Sequence, residues 1–443
     1  MIKAVCYTLS YLNETDVDPM GHLRLVSPLT QAGVELIQGV SNGRAIPENV
    51  LKGDVVVIQR HFPSLYNQYR EIVELARQGG KPIVYEIDDW LLGLPEEHPD
   101  RLHRFYTPSL LPILEAIIEA DLVTVPTEAL RAQIIPLNSR VLVLPNYFDD
   151  TLWQFREISH PISENDQVII GYMGTPSHRP DIDSLTPVLM EMLHRYPARV
   201  QLYFWGIEPP SLLQSFSQVK YFPWHSYCYR EFAEYFQKQN ADICIAPLAD
   251  NPFNRCKSPL KFFEYSALGV PSIFSAIEPY INTIEDGVNG LLARTIEDWR
   301  VSLMRLIEDS NLRFHLARNA QDSIREKWLL SKSAHQWKQA YEMLLVEKLN
   351  DQNNLKHQSS IQSFIQSVNV QLFDLLQHQT QTINSQRMQL SNYEQELENY
   401  KQEIENYKQE IENYKQEVIS YVMSRSWRYT RPLRKLSRFL RIG

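Results

Sequence analysis

The chain has 443 residues, 44% of them hydrophobic, with four cysteines and a formal net charge of −9. It can bury two ordinary domain cores with residues left over, and its acidic balance argues against a nucleic-acid-binding surface. The charge is uneven: seven Lys and Arg lie between Arg425 and Arg441 and no acid follows Glu417, so the rest of the chain holds 37 basic against 53 acidic residues, a net of −16. Cys6, Cys228, Cys244 and Cys256 show no metal-ligand spacing and read as reduced thiols. Neither a signal-peptide pattern nor a run of about 18 apolar residues occurs, so the expected compartment is the cytoplasm.

In chain order, Ile2–Leu9 is an apolar run ending in a polar loop, and a helical pattern begins near His22 with Leu23, Val26 and Leu29. That is the first unit of a Rossmann-like sheet, without the GxGxxG of a dinucleotide fingerprint. Asp54–Ile58 and Pro82–Ile87 are the next strands, followed by Asp121–Thr127 and Val141–Asn146. Topology carries the residues after parallel strands to the ligand-binding edge. His61 is therefore read as orienting substrate or stabilising charge, against a plain solvent-facing His. The pair Asp88 and Asp89 reads as lining the edge or capping a helix. A second strand series begins at Val168–Met173, which puts a boundary near residue 160; Gly174, Thr175 and Pro176 then turn tightly toward Arg179 and a helix from Ile182 to His194.

Residues 257–290 are the most informative stretch. Ser258 and Pro259 are a helix-start signal, Gly269 a stop, and Val270–Phe274 a buried strand. The helix N-terminus, Lys257 and Lys261 would converge on an anion, with Glu264 at i+3 from Lys261 to accept from hydroxyls. The string SPLKFFEYSALGVPSIFS, with EPY and DGVNGLL after it, resembles the donor-binding segment of GT-B glycosyltransferases of the retaining branch (glycosyl transferases group 1, family 4-like). The resemblance extends loosely over residues 1–345.

It implies an α/β fold of two Rossmann-like domains facing a cleft: an acceptor domain over 1–160 and a nucleotide-sugar domain over 161–347 whose last helix, with Trp337 and Tyr341, crosses back. It also implies a site, with Glu264, Lys261 and His61 in catalysis, and Gly174, Thr175, Arg179, Lys257 and Ser258 joining Lys261 and Glu264 on the donor. His22, Arg24, Asp88 and Asp89 fall on the acceptor side. The family's first acidic residue would stand at 256, where this chain has Cys256. Neither cofactor nor metal is expected, the nucleotide sugar being a co-substrate. Asp16-Val-Asp18 and Asp181-Ile-Asp183 spell DxD but lie in a loop and at a helix start. A nucleotide-sugar-binding protein without catalysis and a sugar-nucleotide epimerase are the competing readings.

Residues 348–389 are polar and read as a linker or a connecting helix. From Leu390 to Tyr421 the heptad ENYKQEI repeats, with Leu397, Ile404, Ile411 and Val418 at a and tyrosines at d, the signature of a self-associating coiled coil. Residues 422–443 interleave Trp427, Tyr429, Leu433, Leu436, Phe439 and Leu440 with cations, which suits the anionic inner face of a membrane.

Overall fold

The computed structural model describes residues 1–13, 15–158, 167–350 and 360–439. The chain divides into a unit of residues 1–367 and a unit of residues 368–443. In the first unit come β1 (Lys3–Tyr7), β2 (Glu35–Gln38), a two-stranded hairpin of β3 (Val40–Ser41) and β4 (Arg44–Ala45), then β5 (Val55–Gln59), β6 (Ile83–Glu86), β7 (Leu122–Val125) and β8 (Val141–Val143). Apart from the hairpin they form one parallel sheet in the order β2-β1-β5-β6-β7-β8. A second parallel sheet follows from β9 (Val168–Met173), β10 (Val200–Trp205), β11 (Val219–Phe222), β12 (Ile243–Ala246), β13 (Ser272–Ser275) and β14 (Leu291–Ala293), ordered β11-β10-β9-β12-β13-β14.

The strands at the centre of both sheets are continuous apolar runs, as two-sided burial demands: all five residues of β5 and all four of β12 are buried. β2 and β14 are edge strands that the sequence reading lacked, because ELIQ and LLA are too short to stand out from their loops. The helix expected near His22 is present in three stretches, Pro19–Gly21, a wider π-type turn over His22–Val26, and Ser27–Gln31. The helix expected over Ile182–His194 is two helices, Arg179–Asp183 and Thr186–Arg195.

Each sheet reverses its winding once. In the first the reversal lies between β1 and β5, where Gln59 accepts from Thr8 Oγ1 at 2.6 Å and donates to Met20 O at 3.1 Å. In the second it lies between β9 and β12, so the loops leaving these two strands flank the crevice where α/β sheets bind ligands. Gly206, at φ +82°, makes the close approach there: a Cβ on it would stand 2.6 Å from the Gly174 carbonyl oxygen.

The expected return crossing is present. Helices Leu330–Ser333 and His335–Asn350 follow the second sheet, yet Leu330, Ala334, Trp337, Ala340, Tyr341 and Leu344 pack into the first domain's core with Ala4, Cys6, Leu25 and Val57. Leu23 and Phe148 pack in turn among Tyr229, Phe262 and Phe263 of the second domain. Apolar burial of this kind contributes about 1.5–3 kcal/mol per large side chain.

The expected boundary near residue 160 and residues 351–359 of the expected linker lie outside the described residues, while residues 348–350 end the helix His335–Asn350. Residues 360–389, read as linker or connecting helix, belong to one helix, Ser360–Met423, and the basic segment forms the helix Arg425–Phe439. The side chains of Trp427 and Phe439, and all of Leu440, are outside the described residues.

Candidate active site

β12 runs out through Pro247 into a loop containing the one-turn helix Pro252–Arg255, and then the helix Leu260–Ala267, ended by Gly269 at φ +71°. Ser258 does not cap this helix. Pro259 occupies the cap position with no side-chain bond, and Ser258 Oγ instead accepts from Asn146 Nδ2 at 3.0 Å. Lys261 is thus the second helical residue, not the third.

The first domain holds the loop before the helix at three points. Asn146 reaches Ser258, Thr127 Oγ1 donates to Cys256 O at 2.8 Å, and Asp89 Oδ1 stands 3.8 Å from Lys257 Nζ. Cys256 itself turns inward, its thiol donating to Pro252 O at 3.2 Å, and burial pushes it up to about 12. It is an inert packing residue in this position.

Glu264 is 6% exposed, and among the described residues its side chain's hydrogen-bonding neighbour is the Tyr229 hydroxyl, which donates to Oε1 at 3.4 Å. Burial pushes its carboxyl up to about 8, against the opposing pull of Lys261 and Tyr229. Lys261, whose ammonium lies 5.4 Å from the Tyr172 ring centroid, is pushed down to about 8, chiefly by burial, with Lys257 adding to the push and Asp181 and Glu264 opposing it. A half-buried cation and a buried carboxyl one turn apart, each held far from its ordinary range, mark a candidate ligand site.

The third member is His178, which sequence reasoning passed over in favour of Arg179. Arg179 points away: it donates to Glu208 O at 2.8 Å, lies 3.5 Å from Asp183 and is half-exposed, which corrects its expected place on the donor. His178 Nδ1 is 2.8 Å from Asp181 Oδ2, while Asp181 Oδ1 accepts from the Ala249 amide at 2.7 Å. Burial, then Lys261 and Lys257, push His178 down to about 4. Asp181 therefore ties the loop after β9 to the loop after β12, and it does so as a hydrogen-bond acceptor within the protein. A crevice of about 370 Å3, open to solvent, is lined by His98, His178, Asp181, Asn254 and Lys257. Gly174 and Thr175 flank it on the β9 side, Thr175 Oγ1 lying 2.7 Å from Ser177 Oγ.

Across the cleft, the residues after β5 and β6 gather as topology required. Arg60, in a left-handed conformation at φ +51°, lies 3.4 Å from Asp88 and 3.3 Å from Asp89 and covers the Tyr106 ring at 5.6 Å. Burial pushes Asp88 up to about 6. It pushes Asp89 up as well, but Lys257 and Arg60 outweigh it and hold Asp89 below the usual range. Asp88 and Asp89 are thus engaged with a cation and do not cap a helix. His61 packs beside Phe105 and Tyr106 with its Nδ1 buried and unpartnered, and burial, helped by Arg60, pushes it down to about 4, so it is a neutral imidazole at neutral pH. Its contacts are all on this side; none joins it to Lys261 or Glu264 among the described residues.

His22 lies between the two groups. Its Nε2 is 2.8 Å from Asp149 Oδ2 and its ring is 5.1 Å from Tyr229, the residue that touches Glu264. Burial pushes Asp149 up, but hydrogen bonds from His22, Ser27 and Thr151 outweigh it and bring it to about 2. Arg24 is not an acceptor-side residue. It is 0% exposed, paired with Glu86 at 2.7 and 3.2 Å, and bonded to Leu144 O and Asn146 Oδ1. Trp224, in the loop after β11, stacks on Phe232 at 5.5 Å.

Residues 167–309, which hold all of the crevice's second-domain side, match the family described as Glycosyl transferases group 1. Among solved structures the chain is similar to sucrose-phosphate synthase from Thermosynechococcus elongatus, with 14% identity, a TM-score of 0.57 and coverage of 78% of this chain and 100% of that one. It is also similar to HepE from Anabaena in complex with UDP-glucose, with 14% identity, a TM-score of 0.53 and coverage of 77% and 100%. The fold is GT-B. No curated protein matches the chain by sequence. In this GT-B chain the Glycosyl transferases group 1 match includes Lys261, Glu264, His178 and Asp181. Among the described residues no three His, Cys, Asp or Glu are grouped to hold a metal ion, and no helix is long and apolar enough to cross a membrane.

Proposed function

We propose that the protein is a retaining glycosyltransferase that moves a hexose from a nucleotide-sugar donor to a glycan or lipid-linked acceptor without a metal ion. The observation that carries this reading is the half-buried Lys261 and the buried Glu264 on the helix after β12, next to Lys257, which meets Asp89 of the first domain. Lys261, Lys257 and the free amides of that helix meet the donor diphosphate, and Glu264 meets a ribose hydroxyl. The acceptor lies by His61, Asp88 and Asp89. In front-side attack the acceptor oxygen bonds to the anomeric carbon as the bond to the β-phosphate oxygen breaks. The electron pair stays with that oxygen, which takes the acceptor's proton. Negative charge grows on the leaving diphosphate, and fixed cations and amides stabilise it most in the transition state.

Because HepE was solved with UDP-glucose, UDP-glucose is the first donor to try. Incubated with the full-length protein and an acceptor extract, it should give free UDP. An epimerised donor would favour the epimerase reading, and tight binding without turnover the reading as a binder.

The basic helix Arg425–Phe439 we assign to an anionic membrane surface, a cytoplasmic, peripheral attachment that suits a lipid-linked acceptor. Tyr429, Leu433 and Leu436 are exposed between its cations, and each cation near such a surface contributes about 1 kcal/mol. The full chain should float with phosphatidylserine-containing vesicles and not with phosphatidylcholine ones; equal binding to both would refute the electrostatic account.

A further inference from the structure

The helix Ser360–Met423 is continuous over 64 residues, so the heptad frame of its C-terminal part extends back without a break. In that frame Leu376, Ile383, Leu390, Leu397, Ile404, Ile411 and Val418 recur at every seventh position, a. Tyr393, Tyr400, Tyr407, Tyr414 and Tyr421 recur at d, with Gln379 and Gln386 filling d further upstream. Each apolar member of this stripe is 42% or more exposed. Among the described residues nothing covers this seam, which spans about 69 Å at 1.5 Å per residue.

The flanking charges identify what covers it. Lys401, Lys408 and Lys415 stand at e, and Glu396, Glu403 and Glu410 at g. Within one chain each lysine bonds only the glutamate three residues before it, Glu398, Glu405 or Glu412. The g-position acids have no ion-pair partner among the described residues. In a parallel pair of identical helices, g of one chain faces the following e of the other, so Glu396 meets Lys401, Glu403 meets Lys408 and Glu410 meets Lys415, on both sides of the seam. Antiparallel helices would instead set g against g and e against e, acid on acid and lysine on lysine. A foreign partner would need the same seven-residue repeat and charge phase, whereas a second copy brings both. Ile383, Ile404, Ile411 and Val418 place β-branched side chains at a, where two-stranded parallel coiled coils also carry them.

We propose that this helix pairs with the same helix of a second copy as a parallel, in-register, two-stranded coiled coil from Leu376 to Tyr421. The pairing is independent of the donor chemistry, so either reading can fail without the other. It also sets two Arg425–Phe439 segments at the same end of the seam, doubling the cations offered to one surface.

The full chain in light scattering should show twice the chain mass at micromolar concentration; a single or triple mass would overturn the proposal. Orientation is read by cysteine. The native thiols are all buried, so Leu397→Cys and Val418→Cys, made separately, should each cross-link to itself under mild oxidation. An antiparallel pair has one axis and brings at most one of these positions onto its own copy, so cross-linking at only one, or at neither, rules out the parallel register. The triple variant Lys401→Glu, Lys408→Glu, Lys415→Glu should weaken association at least roughly 10-fold. Mixing it with Glu396→Lys, Glu403→Lys, Glu410→Lys should restore association. Failure of the mixture to associate would show that the charges do not pair between chains.

Discussion

Lys261→Ala and Glu264→Gln are each expected to cripple sugar transfer, and Glu264→Gln is expected at the same time to make the protein more stable. A charge-assisted hydrogen bond contributes about 1.5–3 kcal/mol, so Glu264→Gln should lower turnover roughly 10- to 150-fold. Lys261→Ala should cost at least as much, because the charge it meets grows in the transition state. The Glu264 loss depends on pH. With its carboxyl at about 8, the wild type carries a neutral group at about pH 6.5 that Gln imitates well, so the gap narrows there and widens above pH 8. Lys261, also near 8, has the opposite sense: the anion holds best while the amine is protonated, so donor affinity falls as pH rises through that value.

Stability follows from linkage. The folded carboxyl of Glu264 titrates above its ordinary 4.5, so the folded state keeps a proton that the unfolded state releases, and wild-type stability declines as pH rises from 4.5 to about 8. Gln escapes this loss, and the variant should gain a few kcal/mol, at most on the order of 4, by pH 8. Denaturant midpoints and initial rates across pH, with and without EDTA, read both arms. Unchanged rates in both variants, or complete loss of wild-type activity with EDTA, would mean the donor binds elsewhere.

Arg24→Ala is expected to unfold the protein before it affects any substrate. Its guanidinium and Glu86 are both buried and bidentately paired, and Thr124 donates to the same carboxylate. Removing one partner of such a pair leaves a buried charge unmatched and typically costs about 3–5 kcal/mol, a large part of the roughly 5–15 kcal/mol that holds a protein folded. The double variant Arg24→Met, Glu86→Leu should recover most of that loss. If Arg24→Ala instead melts like the wild type and only raises the acceptor KM, Arg24 faces the cleft after all. Because Asn146 accepts from Arg24 and donates to Ser258, partial loosening here also reaches the loop that positions Lys261.

The two arginines show where sequence stops being informative. Apolar runs, Gly269 and the order of elements gave two parallel sheets and placed Lys261 and Glu264 on one short helix. Those signals are local and periodic. Whether Arg24 or His22 faces the cleft depends on the wider turn over His22–Val26 and on which acid lies buried behind it, Glu86 for one and Asp149 for the other. Likewise His178 and Arg179 are neighbours, and what separates them is the partner each finds in the fold, Asp181 for the histidine and the Glu208 carbonyl for the arginine. Tyr229, Asn146 and Thr127 were missed although Thr127 and Asn146 follow strands β7 and β8, a position that topology already marks.

The crossing helix has a consequence for how the chain is made. Trp337, Tyr341 and Leu344 complete the hydrophobic interior of the domain whose last strand ends at Val143. A ribosome adding about 5–20 residues per second takes roughly 10–40 s to cover the approximately 200 residues between them. Through that interval the first domain exists with its interior open, and the segment that will seal it has yet to be synthesised. The nascent first half is therefore a client for whatever shields apolar surface at the ribosome, and a stalled or truncated product ending before His335 would carry that open face permanently.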